Sequence, residues 1–246
     1  MNDPTGTRIN KYLSEIGFCS RRAADTLIEE GRVTINGKVP EMGTRIGPDD
    51  EVEVDGKPVY SKDDKPVYLA FNKPVGIVCT TDTRREKNNI IDYISFHRRI
   101  FPVGRLDKAS EGLILLTSDG DIVNKILRAR NNHEKEYIVT VHKPVTPEFL
   151  EAMAKGVPIL DTVTRPCAIK QTHKATFKII LTQGLNRQIR RMCEFLGYEV
   201  LTLKRVRIMN IVLDTPAGKW RYLDKNELEE INRLIASSVK TYDAPN

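Results

Sequence analysis

Four consecutive large aliphatic residues, Leu113-Ile114-Leu115-Leu116, constrain the fold of this chain more than any other segment. A strand that is apolar at every position offers neither face to water, so the run belongs at the centre of a sheet. Further strands are read at Val67–Phe71, Tyr137–Val141, Ala175–Leu181 and Lys204–Leu213. Helices fall between them. Asp121 opens one carrying Ile122, Val123, Ile126 and Leu127. Thr146-Pro147-Glu148 supplies a cap, an N1 proline and an early acid for another that ends before Gly156. Asn186 is placed to cap a third through Ile189, Met192, Cys193 and Leu196, and Asp224-Lys225-Asn226-Glu227 is a capping box before a fourth. Strands outnumber helices and do not alternate with them regularly, which predicts an α+β fold rather than a run of βαβ units.

A smaller module precedes this domain. Ile9, Leu13 and Ile16 share one face of a short helix that Gly17 ends, and Ser20 caps a second helix through Ala23, Ala24, Leu27 and Ile28 up to Gly31. Arg21 and Arg22 occupy its first turn, where the helix dipole disfavours cations, so they are candidates for contacts outside the domain. Val33–Val39 reads as a tight hairpin about Asn36-Gly37, and Glu51–Val54 alternates as a strand. The expected layout is a module at residues 8–55, a polar linker at 56–66 with two prolines, and a large domain at 67–240.

The chain has 39 lysines and arginines against 33 acids, a net charge of +6 that by itself points only weakly to a polyanion. The bases are concentrated, however, in Arg84, Arg85, Lys87, Arg98, Arg99, Arg105 and Lys108, and again in Arg187, Arg190, Arg191, Lys204, Arg205 and Arg207. Such clusters suit a phosphate-binding surface. Cys19, Cys79, Cys167 and Cys193 are too scattered for a metal pair or a disulfide framework, and they read as reduced thiols of a cytoplasmic protein. No apolar run is long enough to span a bilayer, and neither a dinucleotide nor a phosphate-loop signature is present.

Gly104-Arg105-Leu106-Asp107-Lys108-Ala109-Ser110-Glu111-Gly112 runs directly into the apolar strand. Taken alone, Asp107 reads as a salt-bridge partner of Arg105 or Lys108. The whole stretch through Thr117 resembles the catalytic loop of pseudouridine synthases. That resemblance implies that Asp107 is the catalytic carboxylate and that Arg105 enters the RNA stack where the uridine leaves. Gly184-Leu185-Asn186-Arg187-Gln188-Ile189-Arg190-Arg191-Met192 resembles the family's third motif. It implies that Arg190 pairs with Asp107 while Arg187 and Arg191 contact RNA. Relatives carry a basic residue where this chain has Leu185. Lys135-Glu136-Tyr137 resembles the Lys-x-Tyr element, whose tyrosine stacks on uracil and assists proton removal from C5; as a residue, Tyr137 reads equally well as core. Asn72-Lys73-Pro74-Val75-Gly76 resembles the first recurring motif beside the cleft, with Lys73 read as an RNA contact.

The N-terminal helix pair with Ser20-Arg21-Arg22-Ala23-Ala24, Gly31-Arg32-Val33 and Asn36-Gly37 resembles the S4 RNA-binding domain. An RNA-facing patch of Arg8, Lys11, Arg21, Arg22, Arg32 and Lys38 is implied. Acids outnumber bases 11 to 8 over residues 1–60, so only local clustering supports that patch. Together the motifs imply an N-terminal S4-like domain followed by a catalytic domain with a mixed, mostly antiparallel sheet and a central cleft. The implied activity is cofactor-free conversion of uridine to pseudouridine by a monomeric bacterial enzyme of the small-subunit-type branch. Its implied partner is 23S rRNA or a large-subunit assembly intermediate. A synthase directed at tRNA or 16S rRNA, or a non-catalytic ribosome-assembly factor, is the alternative.

Overall fold

The computed structural model describes residues 6–60, 65–82, 85–128 and 131–238; Arg84 of the basic cluster lies outside them. The chain divides into two compact units, Met1–Pro66 and Val67–Asn246.

The first unit contains β1 (Thr7–Arg8), α1 (Ile9–Glu15), α2 (Arg21–Glu29), β2 (Val33–Ile35), β3 (Arg45–Ile46), β4 (Val52–Val54) and β5 (Lys57–Pro58). Ser20 caps α2 as its sequence predicts, its Oγ accepting from the Ala23 amide at 3.1 Å. Ile9, Leu13, Ala24 and Ile28 from the two helices pack against Val33, Ile46, Val52 and Val54 from the strands. The Asn36-Gly37 turn forms with both residues at positive φ, but its second arm pairs only through Lys38. The strand partner of β2 is instead β4. Strand β5 lies in the stretch read as linker and pairs antiparallel with β4. Asp55 and Gly56 turn the chain between them with φ of 52° and 69°. This second left-handed Asp-Gly turn is a hairpin signal that the linker reading passed over.

The second unit is built on a nine-stranded sheet. In chain order its elements are β6 (Tyr68–Lys73), α3 (Ile90–Ile94), β7 (Phe101–Val103), β8 (Glu111–Thr117), α4 (Gly120–Leu127), β9 (Lys135–Val141), α5 (Pro147–Lys155), β10 (Pro158–Ile159), β11 (Thr162–Val163), β12 (Ala168–His173), β13 (Thr176–Leu181), α6 (Gln188–Phe195), β14 (Val200–Ile208), β15 (Ile211–Val212), β16 (Trp220–Tyr222) and α7 (Lys225–Ile235). The main path across the sheet is β12-β13-β9-β14-β8-β6-β16, with β7 on β8 and β15 on β14; β10 and β11 pair separately. Among the described strand pairs of this sheet, β8 and β14 run parallel and the others antiparallel.

The apolar run is β8, and it is covered on both faces. Ile114 and Leu116 join a core with residues of α3, α5 and α6, whereas Leu113 and Leu115 join one with residues of α4 and α7. Alternation along one strand thus feeds two cores, which is why no position of the run is polar. Gly112 lets β8 approach β14. Its φ is 104°, and a Cβ there would fall on the carbonyl oxygen of Arg205, its partner in the parallel register.

Helix starts largely follow the sequence. Thr146 caps α5 and Asp224 forms its capping box on α7. At α4 the capping side chain is Asp119, two residues ahead of the expected start. Asn186 does not cap α6. Arg187 takes the cap position in the left-handed region, with φ 50° and no side-chain capping bond. The Gln188 carboxamide folds back to accept from the Leu185 amide at 3.0 Å. Asn186 instead accepts from Arg191, through its backbone oxygen at 3.1 Å and its Oδ1 at 3.3 Å.

Candidate active site

The loop before β8, one end of β9, the approach to α6 and the middle of β14 meet around a cleft of about 750 Å³. Asp107 lies in the loop before β8, and two backbone anchors hold that loop. The Leu106 amide donates to Cys79 Sγ at 3.4 Å, and the Gly76 amide donates to the Lys108 carbonyl at 2.8 Å. A turn closes on the other side, where the Ser110 amide donates to the Asp107 carbonyl at 3.0 Å. Asp107 is half-buried, and among the described residues its carboxylate has neither a hydrogen-bond donor nor an ion-pair partner.

Tyr137, on β9, is mostly buried and lines the cleft; its hydroxyl bonds to no described residue. Arg190 lines it from α6, but the expected ion pair with Asp107 is not formed. Its Nη1 donates to the Val200 carbonyl at 3.1 Å, and its Nη2 to the Ala109 carbonyl at 3.0 Å and to Ser110 Oγ at 3.4 Å. These acceptors engage both terminal nitrogens, while Nε is buried without a partner. In this arrangement the guanidinium ties α6 and β14 to the backbone just past Asp107, rather than to the carboxylate itself.

Lys73 is a second correction. It is fully buried, and its ammonium donates to the carbonyls of Pro74 and Ile77, each at 2.8 Å. Desolvation lowers its pKa, opposed by the negative charges of its surroundings, Asp107 among them. A buried ammonium spent on its own turn cannot grip a phosphate. Its work is to fix the Lys-Pro-x-Gly turn from which Gly76 holds the Asp107 loop. Lys73→Met should therefore cost about 2 kcal/mol of stability, from carbonyls left unsatisfied. Urea unfolding measures that loss. The salt dependence of RNA binding should be unchanged, because no phosphate contact is removed.

Arg105 is exposed at the cleft, and Arg187 is exposed with Glu194 3.9 Å away. Arg191 is half-buried against Asn186. In the first unit Arg8, Arg21, Arg22 and Lys38 are exposed, and Lys11 pairs with Glu15 at 3.3 Å. Arg32 is committed elsewhere: it forks onto Asp55 at 2.8 and 2.7 Å and reaches Glu30 at 3.1 Å. Its hydrogen bonds to these acids raise its pKa further and lower that of Asp55. Arg32 is exposed, and an RNA phosphate would compete with these acids for its guanidinium.

Lys135 and Arg205 line the cleft although the motif reading gave them no role. Alternation carried the missing signal: Lys135 precedes Tyr137 by two on one strand and therefore shares its face. Arg205 is paired with Tyr137 across β9 and β14. Burial, and after it the neighbouring charge of Arg205, pushes the Lys135 amine down to about 8. Among the described residues no group of three His, Cys, Asp or Glu side chains could hold a metal ion, and no helix is long and apolar enough to cross a membrane.

Comparison with known proteins agrees with both units. Residues 67–195 match the RNA pseudouridylate synthase family, and residues 7–52 match the S4 domain. The dual-specificity RNA pseudouridine synthase RluF of Salmonella typhi is 55% identical over 236 residues, covering 95% of this chain and 81% of that protein. The ribosomal large subunit pseudouridine synthase B of Bacillus subtilis is 36% identical, covering 92% of this chain and 96% of that protein. A crystal structure of a pseudouridylate synthase superposes with a TM-score of 0.67 at 29% identity, covering 92% of this chain and 99% of that one.

Proposed function

The chain belongs to the RNA pseudouridylate synthase family and carries an S4 domain ahead of its catalytic domain, and from that premise we propose that it isomerises a specific uridine of 23S rRNA. One observation carries the site assignment. Asp107, Tyr137 and Arg190, distant in sequence, line a single cleft.

In this reading a flipped uridine enters the cleft, because a base inside a helix is out of reach. The Asp107 carboxylate acts at the ribose or the base as the N1–C1′ bond breaks. Tyr137 stacks on the uracil while it turns, and its hydroxyl assists removal of the C5 proton after C5 joins C1′. Arg190 holds the loop that presents Asp107. Arg105 fills the space that the uridine leaves in the stack, a role suited to a planar, permanently charged group. Arg187 and Arg191 contact the RNA beside the cleft. The reaction is an isomerisation without net redox change, so these side chains suffice in principle. The protein acts as a cytoplasmic monomer on free 23S rRNA or on an assembling large subunit. The dual specificity of the Salmonella typhi relative supports a second RNA class, for which tRNA is our candidate.

Tritium release from 5-³H-uridine-labelled 23S, 16S and tRNA transcripts tests the target. Release from 23S RNA is expected, and release from 16S RNA alone would overturn the assignment. The S4 unit should contribute phosphate contacts through its exposed Arg8, Arg21, Arg22 and Lys38 and through the half-buried Lys11. Replacing both Arg21 and Arg22 by alanine should flatten the slope of log K against log salt by about 2 and leave single-turnover chemistry at saturating enzyme unchanged. An unaltered slope would remove those two residues from the interface.

A further inference from the structure

Two cations on the wall of the cleft have no place in the reaction as described above. Lys135 and Arg205 are only 7% and 4% exposed, and both line the cleft with Asp107 and Tyr137. Lys135 shares the face of Tyr137 on β9, and Arg205 stands opposite Tyr137 on β14. Among the described residues no carboxylate pairs with either one. Arg207, two positions along β14, is by contrast matched by Glu134 at 2.9 Å and Glu136 at 3.2 Å.

Backbone oxygens occupy only part of their donor capacity. Lys135 Nζ donates to the His133 carbonyl at 2.9 Å, and Arg205 Nε to the Leu113 carbonyl at 2.6 Å. Arg205 Nη2 is buried with no partner at all. Burying two cations near each other without an acid is costly, and the lowered pKa of Lys135 reflects that cost. Apolar residues would pack the same strands more cheaply. Their retention at the cleft points to negative charge that arrives with the substrate.

We propose that Lys135 and Arg205 stabilise the negative charge of the uracil ring while it is detached from its ribose. The inference rests on the pseudouridine synthase reading. Heterolysis of N1–C1′ leaves the bonding pair on the ring, where the charge spreads over N1, O2 and O4. At the sugar, the deficit at C1′ is met by the Asp107 carboxylate or by loss of the C2′ proton. After the ring turns, a ring electron pair forms the C5–C1′ bond as the Asp107–C1′ bond breaks or as C2′ regains its proton; C5 then loses its proton and N1 gains one. Fixed cations opposite Tyr137 lower the energy of the anion throughout the turn, because each ring oxygen in turn can face them.

Single-turnover tritium release and RNA dissociation constants for Lys135→Met, Lys135→Arg, Arg205→Gln and Arg205→Lys test this. The neutral variants should bind RNA as wild type does and release tritium on the order of 100-fold more slowly. The charge-conserving variants should recover a clear part of that rate. Melting curves establish that each variant is folded. Neutral variants within about 3-fold of wild type, or charge-conserving variants as slow as neutral ones, would overturn the proposal. If Arg205→Gln fails to fold, the Lys135 pair decides the question alone. Wild type serves as the control for the activity itself: no release by it from any RNA would count against the synthase reading rather than against the two cations.

Discussion

Asp107→Asn is expected to abolish turnover and leave the fold and RNA binding intact. The carboxylate makes no described hydrogen bond or ion pair, so the amide should change stability by less than about 0.5 kcal/mol. The loop stays anchored through the backbone of Leu106, Lys108 and Ser110, none of which depends on the Asp107 side chain. Chemistry is another matter. An amide is neither a competent nucleophile nor a base, and loss of a group with that role costs on the order of 10⁴-fold or more in rate. Tritium release and a melting curve on the same preparation check both halves. A rate within tenfold of wild type would dismiss Asp107 as the catalytic carboxylate, and no release by either protein would revive the reading of the chain as a passive rRNA-binding factor.

Gly112→Ala should be the most damaging single substitution for stability. The residue sits at φ 104°, where L side chains are strained, and the added methyl would land on the Arg205 carbonyl oxygen. Backbone atoms cannot rotate aside as a side chain would. Relief therefore requires β14 to move off β8, loosening the Arg205 bond to Leu113 as well. A loss of about 4 kcal/mol is expected, near the upper end for a point substitution. Urea titration measures it; a loss under about 1 kcal/mol would show that the parallel contact is more pliant than its spacing implies. The damage should also reach the cleft, because Arg205 lines it.

The sequence was most legible where structure is local. Ser20, Thr146 and Asp224 announced their helices because a cap needs only a few neighbouring residues. The apolar run announced a central strand because its composition alone demands cover on two faces. Strand order was not legible: the pairing of β8 with β14 joins Gly112 to Arg205 across most of the catalytic unit. Asn186 failed as a cap because Arg187 adopts a left-handed conformation that shifts the helix start, which residue type does not reveal. Motif resemblance brought Asp107, Tyr137 and Arg190 to one cleft, yet it could not say that Lys73 is buried or that Arg32 is already matched by Asp55. For Lys73 the expectation took a positive charge as a surface contact. Conversely, Lys135 figured only as part of a motif and Arg205 only in a basic cluster, because their importance comes from burial beside Tyr137, a property of the packed sheet.

The parallel junction of β8 and β14 also dictates how this protein can come into being on the ribosome. The S4 unit has a complete core once residues up to about 60 have emerged, so it can fold while synthesis continues. Strand β8 has no such early refuge. Its apolar run pairs with β6 and β7, both made before it, but Glu111 and Gly112 wait for β14, and the faces of the run wait for residues of α5, α6 and α7. Long-range closure is slow, and an uncovered apolar face invites association with other chains. The catalytic half should therefore depend on nascent-chain protection far more than the RNA-binding half does. Truncation anywhere between the end of β8 and Val200 should yield aggregates that carry a folded N-terminal unit.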